Sequence, residues 1–197
     1  MKFSKEEEYL RKKDKKLKKI IENNGHIVFK PNSKNQFDSL VEITISQFIS
    51  TKAAKSIYQK IKDKFKTEYL NERDFENLSL KEIKNLGLSL NKAKTIKELS
   101  HHYLDGTFVD LTKIKSEELN NKLLSVFGIG PWSVKMFEIF CIGKLNIFTS
   151  KDAGLRLAMD NHKMIRNRNN LENYDNYAQR WSPYKTIASI HLWKTVD

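Results

Sequence analysis

The residues best spaced for chemistry lie at Leu123-Leu124-Ser125-Val126-Phe127-Gly128-Ile129-Gly130-Pro131-Trp132-Ser133-Val134. One helix ends, a Gly-Ile-Gly hairpin turns, and a second helix opens at Pro131, a residue suited to a first helical turn. Two glycines around one apolar residue let the backbone turn sharply and lie against a flat surface, while Ile129 tucks back between the helices. The N–H groups opening the second helix then point outward with the positive end of its dipole, a seat for a nucleic-acid phosphate. Such a contact reads the backbone and not the base. A helical corner capped by glycine accounts for the same three residues, so the hairpin alone leaves both readings open.

Several other chemistries are excluded. The five His and one Cys show no metal-ligand spacing. Cys141, alone, forms no disulfide and cannot hold a four-cysteine iron–sulfur cluster, which points to a reducing compartment. No apolar run approaches the ~18 residues that span a bilayer, and Met1–Glu8 lack a signal-peptide core. A cytoplasmic protein without membrane contact is expected. Against 24 Asp+Glu stand 36 Lys+Arg, a formal charge of +12. That surplus favours a polyanion, nucleic acid first, although the Lys, Asn and Ile bias of an AT-rich genome would produce it too.

The elements that must position these residues read as helices. Seven Gly and three Pro in 197 residues are too few for the turns of an all-β fold. In 1–20, nine basic residues oppose four acidic ones, and Leu10, Leu17, Ile20 and Ile21 form one narrow stripe on a solvated helix that stops at Asn23-Asn24-Gly25. The stretch 26–36 reads as a loop closing this charged lead-in. Phe37, Leu40, Val41, Ile45, Phe48 and Ile49 share a helical face, and Ser50 caps a following helix. Ser79-Leu80-Lys81-Glu82 is a capping box. Further helices are expected from Ser89, across the hairpin at 117–142, near 152–160 and 171–181, and from Ser182-Pro183. Thr107–Leu111 is too short and irregular to establish a sheet. The expectation is an all-α chain of roughly ten short helices forming one domain, 1–197, with no repeat and no long linker.

An ordered set of segments resembles the helix-hairpin-helix DNA glycosylase superfamily, and within it the DNA-3-methyladenine glycosylase II branch. Besides the hairpin, the set comprises Asn146-Ile147-Phe148-Thr149-Ser150-Lys151-Asp152-Ala153-Gly154-Leu155-Arg156 and Arg180-Trp181-Ser182-Pro183-Tyr184, with Lys185–Trp193 following. Upstream it includes Phe37–Val41, Ile45-Ser46-Gln47-Phe48-Ile49-Ser50, Leu86-Gly87-Leu88 and Lys92-Ala93. The match covers 37–194, and its order and spacing are more specific than any one piece. It implies a two-lobed helical body, without the small β domain that some members carry before it.

The resemblance places the catalytic aspartate on Asp152. A carboxylate suits N-glycosidic cleavage, because it stabilises positive charge on the departing sugar and orients or deprotonates water. A plain helix-start aspartate is the alternative reading of that residue. Members that also cut the strand carry a lysine where Trp132 stands, and Lys135 lies a turn further on, so a monofunctional enzyme is implied. By the same resemblance Gln47 and Phe48 enter the minor groove, with Phe48 as wedge and core packing as its alternative. Trp132 and Trp193, with Met136 and Tyr184, would line a pocket for a cationic base. Gly128, Ile129, Gly130 and Ser133 would meet DNA backbone. The carbonyls of Leu124, Val126 and Ile129 would hold a structural Na or K ion, with no other cofactor. His191 and Cys141 read as core.

The implied activity is release of alkylated purines from double-stranded DNA by a monomer, in base excision repair. Two rivals stand beside it: removal of an oxidised or mismatched base, kept open by Met136 and Phe48, and a non-catalytic hairpin module that only grips DNA.

Overall fold

The computed structural model describes residues 2–196. Its helices are α1 (Lys5–Lys13), α2 (Lys15–Asn24), α3 (Gln36–Ser46), α4 (Thr51–Phe65), α5 (Arg73–Glu76), α6 (Leu80–Lys84), α7 (Leu90–Leu104), α8 (Ser116–Ser125), α9 (Pro131–Phe137), α10 (Ala153–Asn161), α11 (Glu172–Ala178) and α12 (Lys185–Trp193). A π-helical turn, Glu138–Ile142, prolongs α9, and a 3-10 turn, Gln179–Trp181, follows α11. There is no strand among the described residues, so the all-helical expectation holds.

Two compact units divide the chain: a central one, Pro31–Gly143, and a terminal one joining Met1–Lys30 to Lys144–Asp197. In the central unit α3 packs on α4, α7 and α9. Phe37 and Phe75 anchor this packing, with ring centroids 5.8 Å apart and exposures of 4% and 0%. Full burial of each such side chain is worth about 1.5–3 kcal/mol. Leu10, Leu17, Ile21, Leu155, Met159 and Trp181 form the core of the terminal unit.

The lead-in departs from expectation twice. It is two helices, because Asp14 takes an extended backbone (φ −141°, ψ 112°), ending α1 and capping α2 through bonds from the Lys16 and Leu17 amides. Short side-chain acceptors compete with the helix in this way. Nor is the stripe merely a solvated helix's seam. Its four apolar residues are buried, and Glu7 is buried with them. The Glu7 carboxylate accepts from the Ser4 and Ile27 amides at 2.7 and 2.9 Å. It also pairs with His26 Nδ1 at 2.7 Å and His191 Nε2 at 3.1 Å. Burial alone would raise the pKa of this carboxyl, but the two amides and two imidazoles bring it below its ordinary value. A third departure is small: α12 begins at Lys185, just after Ser182-Pro183.

Candidate active site

In the terminal unit, the segment before α10 is fastened residue by residue. Thr186, buried on α12, donates from Oγ1 to the Lys144 carbonyl at 2.6 Å and accepts from the Ile147 amide at 3.1 Å. Ser150 donates to Asp175 at 2.6 Å, and Arg156 donates to the Ser150 carbonyl. Asp152 follows as the N-cap of α10, only 8% exposed. Its Oδ1 accepts from the Leu155 amide at 2.7 Å and from the Trp193 indole Nε1 at 2.9 Å.

The helix-start geometry of Asp152 is therefore real, but it does not account for the indole. A cap needs a donor from its own helix; Trp193 belongs to α12. Gly154 makes the junction possible. A Cβ there would lie 3.2 Å from Asp152 Oδ1 and 3.3 Å from Trp193 Cδ1, tighter than ordinary contact. Charge-assisted bonds from two rigid elements fix the carboxylate for electrostatic work. Of the aromatics expected to line a base pocket, Trp193 is thus bonded to Asp152. Tyr184 packs edge-on against Tyr9, with ring centroids 5.3 Å apart.

The hairpin lies in the central unit. α8 ends at Ser125, and Gly128 turns the chain at φ +80°, where a Cβ would fall 2.2 Å from Thr95 Oγ1. Only glycine fits that position. Gly130 differs: its backbone is extended (φ −110°, ψ 178°) and a Cβ would meet nothing within 4 Å. Its smallness serves nothing within this unit. Ile129 is buried as the plug between the helices, and its amide donates to the Val126 carbonyl at 3.1 Å. The Val126 carbonyl, which the resemblance makes a cation ligand together with those of Leu124 and Ile129, thus already accepts one amide.

Gln47 and Phe48 follow α3. Gln47 donates from its side-chain amide to the Gly128 carbonyl at 3.0 Å and to Ser133 Oγ at 2.9 Å. Lys92 Nζ donates to the Ile45 carbonyl at 2.7 Å, holding the end of α3. On this anchored base Phe48 is 103% exposed with φ +58°. The core alternative for Phe48 fails. A bulky left-handed residue costs about 1–3 kcal/mol, and nothing within the unit repays it. Trp132 is half-buried in the first turn of α9, and Met136 and Ser133 are buried on it. Lys135 is ion-paired to buried Glu138 at 2.7 Å. Cys141 is fully buried, which pushes its thiol up to about 11.

The sequence alone carries no sign of the Trp193–Asp152 bond, the inward use of Gln47, the Lys92 bond to the Ile45 carbonyl, or the places of Thr95 and Glu7. Proximity of Gln47 to the hairpin joins residues 81 apart in the chain, and no local pattern signals that.

A family model described as HhH-GPD superfamily base excision DNA repair protein matches residues 41–183. The chain belongs to this family. DNA-3-methyladenine glycosylase 1 of Schizosaccharomyces pombe is 24% identical over 206 residues, spanning 98% of this chain and 87% of that protein. The YfjP protein of Bacillus subtilis is 28% identical over 134 residues, which are 67% of this chain and 45% of that protein. Among solved structures, the S. pombe 3-methyladenine DNA glycosylase Mag1 in complex with abasic DNA superposes with a TM-score of 0.88 at 21% identity. That match covers 98% of this chain and 96% of that one, and it confirms the fold.

Proposed function

We propose that this protein is a monofunctional DNA glycosylase that hydrolyses the N-glycosidic bond of alkylated purines, of the 3-methyladenine type, in double-stranded DNA. The observation that carries the reading is a carboxylate held by two donors at a helix start, Asp152, within a chain of the base excision family. Alkylation at N3 or N7 makes the purine cationic, so the C1′–N bond breaks with its electron pair leaving on a base that becomes neutral. Positive charge gathers on C1′ and the ring oxygen, and Asp152 stabilises it. Water then bonds to C1′ and gives up a proton, for which Asp152 is the base. Names of relatives such as DNA-3-methyladenine glycosylase 1 support this substrate class.

A base within a duplex must first leave the stack, at a cost of a few kcal/mol. Phe48, exposed on an anchored loop, is suited to fill the gap, and Trp193, bonded to Asp152, to meet the extruded base. Gly130 allows close approach of the DNA backbone. Sodium or potassium would sit on the carbonyls of Leu124, Val126 and Ile129, where it would add positive charge near a phosphate. Lys135, paired to Glu138, is not poised as a nucleophile, which supports base release without strand cutting.

Base release from duplexes each bearing one lesion, by wild type and Asp152→Asn, tests the reading. Release of a methylated purine by wild type and its loss in Asp152→Asn, with DNA affinity nearly unchanged, is expected. Inactivity of wild type on every lesion would leave only a DNA-gripping module. Borohydride is expected to trap no covalent adduct.

A further inference from the structure

The terminal unit holds a shallow cavity of about 520 Å³ that the reaction does not use. Five cations surround it: Lys13, Lys15, Lys16, Arg166 and Arg180. Lys15 and Lys16 occupy the first turn of α2, where the helix dipole disfavours positive charge. Asp14 is the one carboxylate among the lining residues, and it is engaged internally. Its oxygens accept from the Lys16 and Leu17 amides and from the Trp181 indole at 2.8, 3.2 and 3.0 Å.

The cavity lacks a face for a base. Arg180 covers the Tyr177 ring at 3.7 Å and donates from Nε to the Tyr177 carbonyl at 3.0 Å. Trp181, edge-on to Tyr177 at 5.6 Å, is fully buried. What remains is a rim of cations drawn from two helices, the loop after α10 and the 3-10 turn. Lys16 ties that rim by donating to the Lys163 carbonyl. Such a surface recognises spaced phosphates without reading sequence.

We propose that this cavity binds the phosphodiester backbone of duplex DNA, a contact additional to the hairpin. The proposal rests on the glycosylase reading for its partner, but it concerns binding and not chemistry.

The test is fluorescence anisotropy of the full chain on an undamaged labelled duplex across a NaCl series. Three forms are compared: wild type, the triple variant Lys13→Gln/Lys15→Gln/Arg166→Gln, and a control of equal charge, Lys64→Gln/Lys81→Gln/Lys84→Gln. The cavity triple is expected to weaken Kd about tenfold near ~0.1 M salt and to flatten the log K against log salt slope by about 2–3. The control should shift Kd less than about twofold. A charge-keeping set, Lys13→Arg/Lys15→Arg/Arg166→Lys, should bind as wild type does, which guards against a folding defect. Base release at saturating enzyme should be unchanged in the cavity triple. Equal shifts in both Gln triples, or none, would overturn the proposal. If wild type binds no duplex, the glycosylase reading falls with it. If Gly130→Leu loses binding while the cavity triple keeps it, only the cavity contact falls.

Discussion

Trp193 Nε1 and Asp152 Oδ1 lie 2.9 Å apart, joining residues 41 positions apart in the chain. The bond sets the direction of a carboxylate that a cap alone would leave to its own helix. Removing one such donor to a charged group is worth about 1.5–3 kcal/mol. Trp193→Phe keeps a ring and deletes the donor, so base release should fall roughly 10–100-fold, with DNA affinity nearly kept. Single-turnover rates would show this, and an unchanged rate would remove Trp193 from the positioning role.

The two hairpin glycines should separate. Gly128→Ala meets Thr95 Oγ1 at 2.2 Å and strains a φ of +80°, so it should lower stability by more than about 1 kcal/mol. At Gly130 an added Cβ meets nothing within 4 Å and the backbone is extended, so the melting temperature of Gly130→Leu should stay close to that of wild type. Its affinity should fall alike for damaged and undamaged duplexes, as a backbone contact requires. A loss confined to damaged duplex would contradict that.

Phe48→Gly relieves a left-handed backbone and removes an exposed ring, so stability should hold or rise by about 1 kcal/mol. Base release should nonetheless drop, and more steeply for a well-paired lesion than for one opposite a mismatch, where extrusion costs less. Equal losses on both substrates would argue against a wedge.

Acid should loosen the terminal unit in two stages. Burial, foremost, lowers the pKa of His191 below its ordinary 6.5, against the opposing bond to Glu7. The Asn24 amide faces Nδ1 at 3.3 Å, consistent with a neutral ring donating from Nε2 to Glu7. Both His191 and Glu7 bind fewer protons folded than unfolded. Their stabilisation is therefore complete above the unfolded pKa and lost as pH falls: below 6.5 for His191, then below 4.5 for Glu7. Urea midpoints should decline from pH 7 to 5.5, and the decline should shrink in His191→Gln. A flat wild-type profile over that interval would refute the sign.

Much of the molecule was legible because it is local. Ser79 and Glu82 form the capping box their spacing implies, and Ser50 and Ser89 cap their helices. Gly128 turns the hairpin, and Ile129 plugs it. The break at Asp14 was not legible, since the apolar stripe runs through it and only the side chain's choice of acceptor role ends the helix. Phe48 fits the apolar period of α3, yet the helix ends at Ser46 and leaves it outside. Periodicity reports which face a residue would occupy, not where the chain stops obeying it.

By itself the sequence determined most of the helical elements, the caps at Ser50, Ser79 and Ser89, the hairpin and an aspartate at a helix start, because each depends on neighbours a turn or two away. Tertiary structure decided which groups those elements bring together. Trp193 reaches Asp152, Gln47 turns inward to Gly128, and Glu7 gathers His26 and His191. Such pairings join segments distant in the chain, and they are settled by how buried faces pack and by the need of each buried polar atom for a partner.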